Sequence, residues 1–167
     1  TFARILKGQG AEVVYLEHLM AEAIGQSPDV RRTFIWEFIG EGGDVAQLYR
    51  EPLFEFLDSI RDGLELVLKT MAGVRLDELQ IKGCHPLVRL VGADHCFVLD
   101  PIPNLYFTRD PFATIGDGVS LNYMYSRTRR REGIYGNFVL NHHPEWKGKT
   151  KFYYSREYPF SIEGGDI

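Results

Sequence analysis

Apolar side chains in the first half of the chain recur at steps of three and four residues, which is the spacing of an amphipathic helix. One such run begins at Phe2 and another surrounds Met20. Between them, residues 12–17 (Glu-Val-Val-Tyr-Leu-Glu) place two β-branched residues side by side, which favours a strand. The chain is therefore predicted to begin with a helix, a strand and a second, short helix.

Residues 27–80 are predicted to form a compact helical unit. Its first helix starts at residues 27–29 (Ser-Pro-Asp), because serine caps a first turn and proline fits the first helical position. Asp44 is expected to cap the turn that follows this helix. A longer helix is predicted to open at Pro52 and to continue to Gly73, since its apolar positions fall on one face. These positions are Leu53, Leu57, Ile60, Leu64, Val67 and Met71.

After residue 80 the apolar positions form short β-type runs that proline and glycine separate. Residues 96–99 make one run, and residues 112–115 and 119–123 make two more around a Gly-Asp-Gly turn, which is a hairpin signal. The remaining predicted elements are a helix over residues 127–143, a strand over 151–154 and a strand that begins within 161–167. Strands that alternate with helices predict an α/β fold.

Composition and charge narrow the functional classes. The 167 residues, of which 44% are hydrophobic, suffice for one domain with its own core. A net charge of −4 argues against a nucleic-acid binder. No run approaches the ~18 apolar residues of a membrane span, so no membrane partner is expected. Cys84 and Cys96 are too few for a disulfide framework, which favours a reduced, cytoplasmic setting.

The cysteine and histidine residues predict no metal site. Two Cys–His neighbours occur, at residues 84–85 and 95–96, but no C-x-x-C or H-x-x-x-H spacing accompanies them. Cys96 opens an apolar run and is expected in the core. His142 and His143 lie near a predicted helix end, where a surface position is usual.

Two carboxylate strings carry candidate chemistry. Asp110 lies in an aromatic string between two prolines, so its carboxylate is expected to seek a cation. From composition alone, a turn cap or a salt bridge to Arg109 is favoured. Residues 163–166 (Glu-Gly-Gly-Asp) combine carboxylates with glycines that allow the backbone to approach a ligand closely. The same tetrapeptide at residues 41–44 is interpreted as a helix-to-helix linker.

An arginine cluster is the third candidate. It comprises Arg127, Arg129, Arg130 and Arg131. Such a cluster can bind a carboxylate or a phosphate, but it is more often a solvated helix face. Glu132 can neutralise part of its charge. Residue types and spacing therefore predict an α/β domain with a cation site, and nothing finer.

Two longer strings resemble the signatures of arginine deiminases. Residues 100–113 (Asp-Pro-Ile-Pro-Asn-Leu-Tyr-Phe-Thr-Arg-Asp-Pro-Phe-Ala), followed by Gly116-x-Gly118 and Asn122-Tyr-Met124, are similar to the first. Residues 161–166 (Ser-Ile-Glu-Gly-Gly-Asp) are similar to the second. The resemblance covers the whole chain. It implies the pentein-like α/β propeller of guanidino-group modifying enzymes, which is built from ββαβ units and is expected to be only partial here.

The resemblance also implies a domain organisation. Residues 1–26 correspond to the N-terminal side of the propeller part, and residues 27–80 to an inserted helical bundle. Residues 81–167 correspond to the propeller part that carries the substrate-binding motifs. The N- and C-terminal remainder of the family domain is expected to be absent, so the chain is interpreted as an internal fragment.

The implied activity is hydrolysis of L-arginine to L-citrulline and ammonia through a covalent cysteine intermediate. Asp110 and Glu163 match the two carboxylates that hold the substrate guanidinium during catalysis, and carboxylates suit its paired donors. The resemblance further implies that Phe112 forms an aromatic wall of the substrate pocket and that Arg129 binds the substrate α-carboxylate. It also implies that Asn104 is a polar partner at that end of the substrate and that Asp166 is a supporting acid.

The strings that hold the family's nucleophilic cysteine and its proton-transferring histidine are missing from this sequence, and neither Cys84 nor Cys96 matches the nucleophile's context. The chain alone is therefore expected to be inactive, and its open strand edges are expected to make it self-associate. The implied ligand is L-arginine, and no cofactor, metal, nucleic acid or membrane partner is expected. Whether the full-length parent forms a homo-oligomer stays an open question. Two alternatives remain: a related guanidino hydrolase, and a non-catalytic or degenerate guanidino-binding domain.

Overall fold

The computed structural model describes residues 2–79 and 96–167 as a set of packed helices with two small sheets beside them. The helices are α1 (Phe2–Gly8), α2 (Leu16–Ile24), α3 (Pro28–Gly40), α4 (Asp44–Leu48), α5 (Arg50–Ser59), α6 (Gly63–Ala72) and α7 (Glu132–His142). The strands are β1 (Val74–Arg75), β2 (Phe97–Leu99), β3 (Phe112–Ile115), β4 (Gly118–Leu121) and β5 (Lys151–Tyr154). Short 3₁₀ turns cover Leu76–Leu79, Arg127–Arg129 and Gly164–Asp166.

Helix α3 begins as its sequence predicts. Ser27 has an extended backbone, and its hydroxyl oxygen accepts a hydrogen bond from the amide of Val30 at 3.2 Å. This bond satisfies one of the free amides of the first turn, while Pro28 needs no partner there. The helix then buries one apolar face, formed by Phe34, Ile35, Phe38 and Ile39.

The predicted single helix from Pro52 to Gly73 is two helices, so that prediction was wrong. Ile60 turns to an extended conformation and ends α5, and Asp62 caps α6 by accepting a hydrogen bond from the amide of Glu65 at 2.8 Å. The helical spacing of apolar residues continues across the break, so this spacing does not indicate where the first helix ends. The break forms because the Asp62 side chain binds a backbone amide that would otherwise need another partner. Gly73 ends α6 with a φ of +80°.

Three other local predictions were wrong. Residues 11–15 form no strand, since none of the described strands pairs with them, and Leu16 already begins α2. Asp44 is the first residue of α4 rather than its cap, which is Gly43 with a φ of +88°. The last residues form a 3₁₀ turn, Gly164–Asp166, because the two glycines and the aspartate favour a turn over a pleated strand.

The sheets follow the predicted hairpin. β3 and β4 pair antiparallel, with Phe112 opposite Leu121 and Ile115 opposite Gly118. β5 adds to β4 in parallel, and β1 pairs with β2 antiparallel in the second sheet. Gly118 is required by this arrangement, because a Cβ there would lie 2.7 Å from the Lys151 carbonyl oxygen.

One hydrophobic core joins the helical unit to the later part of the chain. Phe34 of α3 contacts Phe138 and Tyr135 of α7, with ring centroids 5.5 and 6.0 Å apart. The Tyr135 hydroxyl donates a hydrogen bond to the side-chain oxygen of Thr70 in α6 at 3.0 Å, and burial raises the pKa of this tyrosine. Helix and sheet are thus mixed, as the α/β prediction states. The domain boundaries at residues 26 and 80 stay a prediction.

Within residues 2–79 and 96–167, none of the helices has the length and apolar character needed to cross a membrane.

Candidate active site

Asp110 ends a loop of consecutive turns. The carbonyl oxygen of Asn104 accepts a hydrogen bond from the amide of Phe107 at 3.0 Å, and the carbonyl oxygen of Phe107 accepts one from the amide of Asp110 at 3.1 Å. Because Pro111 follows directly, Asp110 has little backbone freedom. Its carboxylate therefore projects from a defined position just before β3.

The buried side chain of Asn122 fixes this loop to the end of β4. Its Nδ2 donates hydrogen bonds to the carbonyl oxygens of Asp110 at 2.8 Å and Arg109 at 3.3 Å, and its Oδ1 accepts one from the Ser120 hydroxyl at 2.6 Å. Residue-by-residue reasoning missed this role, although Asn122 belongs to the first string that resembles arginine deiminases. The two-residue spacing from Ser120 is the signal that could have found it, because such residues share a face of a strand.

Glu163 precedes the last 3₁₀ turn, and its backbone is held by Asp166. The Asp166 carboxylate accepts a hydrogen bond from the Glu163 amide at 2.8 Å. The Glu163 carboxylate in turn accepts one from the amide of Tyr125 at 2.9 Å. In the structure Asp166 thus positions Glu163, and Glu163 faces the segment that precedes α7.

Gly164 allows the two carboxylate strings to meet. A Cβ at this position would lie 2.8 Å from Oδ1 of Asp110 and 3.0 Å from the backbone of Arg109. Contacts this short are not formed by real side chains, so only glycine fits without a shift of the loop. The close approach in the structure is made to Asp110, and the predicted approach of this backbone to a ligand stays a prediction.

The guanidinium of Arg129 lies among three carboxylates. Its Nη2 donates hydrogen bonds to Asp110 and to Glu132, each at 2.8 Å, and its Nε donates one to Glu132 at 3.1 Å. Its Nη1 lies 4.0 Å from Oε2 of Glu163. One positive and three negative charges leave the group with a formal charge of −2.

These four side chains differ in their contact with solvent. Glu132 is completely buried and the Arg129 side chain is 16% exposed, whereas Asp110 and Glu163 keep partial access to solvent. The hydrogen bonds to Glu132, followed by the ion pair with Asp110, raise the pKa of Arg129 above its ordinary value, although burial opposes them. Arg129 is therefore a guanidinium cation in this group.

The predicted site residues do not all meet in one place. Asp110, Arg129 and Glu163 converge, and Asp166 supports Glu163. Asp110 pairs with Arg129, which corrects the simpler expectation of a pair with Arg109. The part played by Glu132 is larger than predicted: it is the most buried carboxylate of the group and not merely a neutraliser of the arginine cluster.

Phe112 lies against a different surface. Its ring packs on Gly136 of α7, where a Cβ would meet the ring at 2.8 Å. The same residue lines an open cavity of about 430 Å³ together with Thr108, Arg109, Ala113, Thr114 and Ile167. Its predicted role as a pocket wall, like the roles of the other site residues, stays a prediction.

The other arginines of the cluster have no match in the family signatures and are therefore expected at the surface, but Arg131 is buried, which corrects this expectation. Arg131 is 2% exposed, its Nη1 donates a hydrogen bond to the carbonyl oxygen of Asp100 at 2.8 Å, and its guanidinium lies 5.1 Å from the ring centre of Phe38. Burial lowers the pKa of Arg131. Arg127 is exposed and pairs with Asp44. Because consecutive side chains of a helical turn point in different directions, the arginines of one cluster lie in different environments.

Cys96 and His143 also correct the predictions. Cys96 is exposed, because it precedes β2 rather than lying within it. His143 is buried, and its Nε2 lies 2.9 Å from a carboxylate oxygen of Glu22. In the described part of the chain no group of three His, Cys, Asp or Glu side chains is arranged to hold a metal ion. The predictions for residues 84–85 and 95 lie outside the described residues.

Comparison with known proteins gives the same family over the whole length. The family model of arginine deiminase matches residues 1–167. The chain is 51% identical over 166 residues to an arginine deiminase of Treponema denticola, covering 99% of the chain and 40% of the relative. It is 48% identical over 167 residues to that of Streptococcus agalactiae and 47% over 166 residues to that of Clostridium perfringens, with the same coverage. The chain therefore spans about two-fifths of the length of these relatives, and it belongs to the arginine deiminase family.

Proposed function

We propose that this chain is the substrate-binding part of an arginine deiminase, which hydrolyses L-arginine to L-citrulline and ammonia. One observation carries the proposal beyond family membership. A guanidinium, that of Arg129, is bound by the carboxylate of Asp110 at 2.8 Å and faces that of Glu163 at 4.0 Å. Both acids that the resemblance assigns to the substrate thus lie beside one guanidinium, which supports the proposal.

In this proposal Asp110 and Glu163 hold the substrate guanidinium from two sides and present its carbon to a nucleophile. A planar guanidinium offers paired N–H donors, and a carboxylate accepts two of them. Fixing the carbon in this way converts the attack into an effectively unimolecular step. Asn104 and Arg129 are proposed to hold the amino-acid end of the substrate, and Asp166 to keep Glu163 in place. Phe112, whose ring packs on Gly136 in the structure, is proposed to flank the substrate on the family resemblance alone.

The covalent step is proposed to use a cysteine and a histidine outside these 167 residues. The cysteine thiolate attacks the guanidinium carbon, the C–N bond breaks, and ammonia leaves with a proton that the histidine supplies. Water then attacks the thiouronium carbon, which forms citrulline and frees the cysteine. The isolated chain is accordingly proposed to be inactive.

The fold proposed for the whole enzyme is an α/β propeller, of which this chain forms a part. Its support is family membership together with the mixed helix and sheet content. Residues 27–80 would be the helical insertion, and residues 1–26 and 81–167 would belong to the propeller. A reduced, cytoplasmic setting belongs to the same proposal, and the free thiol of Cys96 is compatible with it.

The test is a chimaera in which this chain replaces the matching segment of the Treponema denticola relative. Citrulline formation from L-arginine is measured for the chimaera, for the isolated chain and for Asp110→Asn in the chimaera. We expect activity in the chimaera alone, and a loss of roughly a hundredfold in kcat/KM on Asp110→Asn, since a charge-assisted hydrogen bond contributes up to about 3 kcal/mol.

Asp117→Asn is the matched control, because this aspartate is exposed in the turn between β3 and β4, and Asp110 lies just before β3. It should change kcat/KM by less than about twofold. A chimaera that melts cooperatively like the parent relative and yet forms no citrulline would contradict the proposal and favour a non-catalytic guanidino-binding domain. Citrulline formation by the isolated chain would contradict the proposed origin of the nucleophile.

A further inference from the structure

The guanidinium of Arg129 occupies the place proposed for the substrate guanidinium. Its Nη2 donates to Oδ2 of Asp110 at 2.8 Å, and its Nη1 faces Oε2 of Glu163 at 4.0 Å. A substrate guanidinium held between both acids would occupy the position that the Arg129 guanidinium takes up here. Arg129 and the substrate therefore compete for one pair of carboxylates.

Glu132 holds Arg129 by its other edge. The Glu132 carboxylate accepts from Nε at 3.1 Å and from Nη2 at 2.8 Å, and it is completely buried within the first turn of α7. A buried carboxylate that loses its cation is strongly disfavoured. When Arg129 leaves Asp110, it is therefore expected to keep an ion pair with Glu132 while its guanidinium turns away from Asp110.

We propose that substrate binding is an exchange of ion pairs and that Arg129 determines specificity through this exchange. The inference rests on the proposed function. The guanidinium of L-arginine displaces Arg129 from Asp110 and Glu163, and the displaced Arg129, still held by Glu132, binds the substrate α-carboxylate. A guanidine without a carboxylate also breaks the Asp110–Arg129 pair but offers Arg129 no replacement. Such compounds are thus selected against, since specificity is a difference between two binding free energies.

The surroundings of Arg129 set it apart from its neighbour Arg127. Arg127 is 68% exposed and pairs with the exposed Asp44, whereas Arg129 is largely buried among three acids. Both arginines lie in the same short 3₁₀ turn. Arg127→Gln therefore removes the same charge close to the site without touching the proposed exchange, which makes it the matched control.

The experiment compares two guanidino compounds on the chimaera and its variants. L-Arginine carries the α-carboxylate, and agmatine has the same guanidinium without it. The variants are Arg129→Gln and the double variant Arg129→Gln, Glu132→Gln. The double variant avoids an unpaired buried carboxylate and leaves a neutral amide pair in its place. The KM for arginine is measured by citrulline formation, and the dissociation constant of agmatine by titration calorimetry, which needs no turnover.

The exchange predicts effects of opposite sign. In both variants the KM for arginine rises at least tenfold, and agmatine binds roughly tenfold more tightly, a factor that corresponds to about 1.4 kcal/mol. Arg127→Gln should leave both constants within about twofold. A purely structural role for Arg129 would weaken both ligands together, and that result, or agmatine binding that does not tighten in the double variant, would overturn the exchange.

Failure of the proposed function gives a different pattern. In that case the chimaera forms no citrulline even with Arg129 intact. Agmatine binding still tests the proposed exchange in that case. Tighter binding of agmatine after removal of Arg129 requires only the carboxylates of Asp110 and Glu163, and it does not require turnover. The two proposals thus fail in separate measurements.

Discussion

The helical core and the carboxylate group around Arg129 are stabilised by different forces. In the core, Phe34, Phe38 and Phe138 are buried on apolar neighbours, and this contribution depends on area and packing more than on direction. Around Arg129, a few hydrogen bonds of defined geometry hold four charges. Core substitutions should therefore change stability, whereas substitutions in the charged group should change binding more than stability.

The largest expected effect is in the core. Phe38→Ala removes a ring that packs on Phe34 and Tyr135 at centroid distances of 5.7 and 5.8 Å, and it leaves a cavity under Arg131. We expect the free energy of unfolding to fall by about 3–5 kcal/mol, measured by urea titration of the chimaera. The exposed Phe107→Ala is the control and should change it by less than about 1 kcal/mol. Equal losses in the two variants would contradict the assignment of Phe38 to the core.

Glu132→Gln tests where the two regions meet, because Glu132 is buried on α7 and yet belongs to the charged group. The substitution keeps the shape but leaves Arg129 with fewer negative neighbours. We expect a loss of about 2 kcal/mol in urea titration, less than for Phe38→Ala, since Asp110 still pairs with Arg129. Asp44→Asn, which removes an exposed partner of Arg127, should cost less than about 0.5 kcal/mol. A Glu132 variant as stable as this control would contradict the proposed anchor.

Gly164→Ala separates binding from stability. The added methyl group would lie 2.8 Å from Oδ1 of Asp110 and should displace this carboxylate. In the chimaera we expect the KM for L-arginine to rise roughly tenfold, or about 1.4 kcal/mol, because the displaced carboxylate no longer meets the substrate guanidinium in its proposed position. Gly165→Ala is a close control, because a Cβ there meets nothing within 4 Å. Similar values of KM in the two variants would show that the contact with Asp110 is unimportant.

The smallest expected effect is a dependence on pH at the edge of the core. Arg156 donates a hydrogen bond to Glu37 at 2.5 Å and also pairs with Glu41. Burial raises the pKa of Glu37 above its ordinary 4.5, although the charge of Arg156 opposes the shift. The folded state then holds the Glu37 proton more tightly than the unfolded state does. This contribution to stability is present below pH 4.5 and is lost as the pH rises through the raised pKa.

Urea titrations of the chimaera and of its Glu37→Gln variant between about pH 4 and 7 measure this effect. The stability of the chimaera, relative to that of the variant, should fall as the pH rises. The exposed Glu51→Gln serves as control for the loss of one acidic residue. A relative stability that instead rises with pH would mean that the pairing with Arg156 outweighs the burial of Glu37.

The sequence predicts the core elements well where local and tertiary preferences agree. The start of α3 follows from Ser27 and Pro28, and the hairpin follows from its Gly-Asp-Gly turn. The break before α6 was missed, because the apolar period continues across Asp62 while its carboxylate caps a new helix. The strand predicted over residues 12–17 was wrong, since a pattern of β-branched residues does not provide the neighbouring strand that its hydrogen bonds require.

The charged group could be predicted only in part. The pair Arg129–Glu132 follows from the i,i+3 spacing of a helical turn. Asp110 and Glu163 were singled out by the family resemblance, and no periodicity shows that they meet. Their approach depends on Gly164, because a side chain at this position would clash with Asp110. This requirement for glycine becomes visible only when the fold brings Asp110 beside it.

The central claim is that Asp110 and Glu163 act on one guanidinium, and a double-mutant cycle tests it most directly. The value of kcat/KM for L-arginine is measured in the chimaera for Asp110→Asn, Glu163→Gln and the double variant. Residues that act as a unit are not additive, so each single variant should lose roughly a hundredfold and the double variant little more. Losses that multiply, to roughly ten-thousandfold, or a single variant with full activity would contradict the claim.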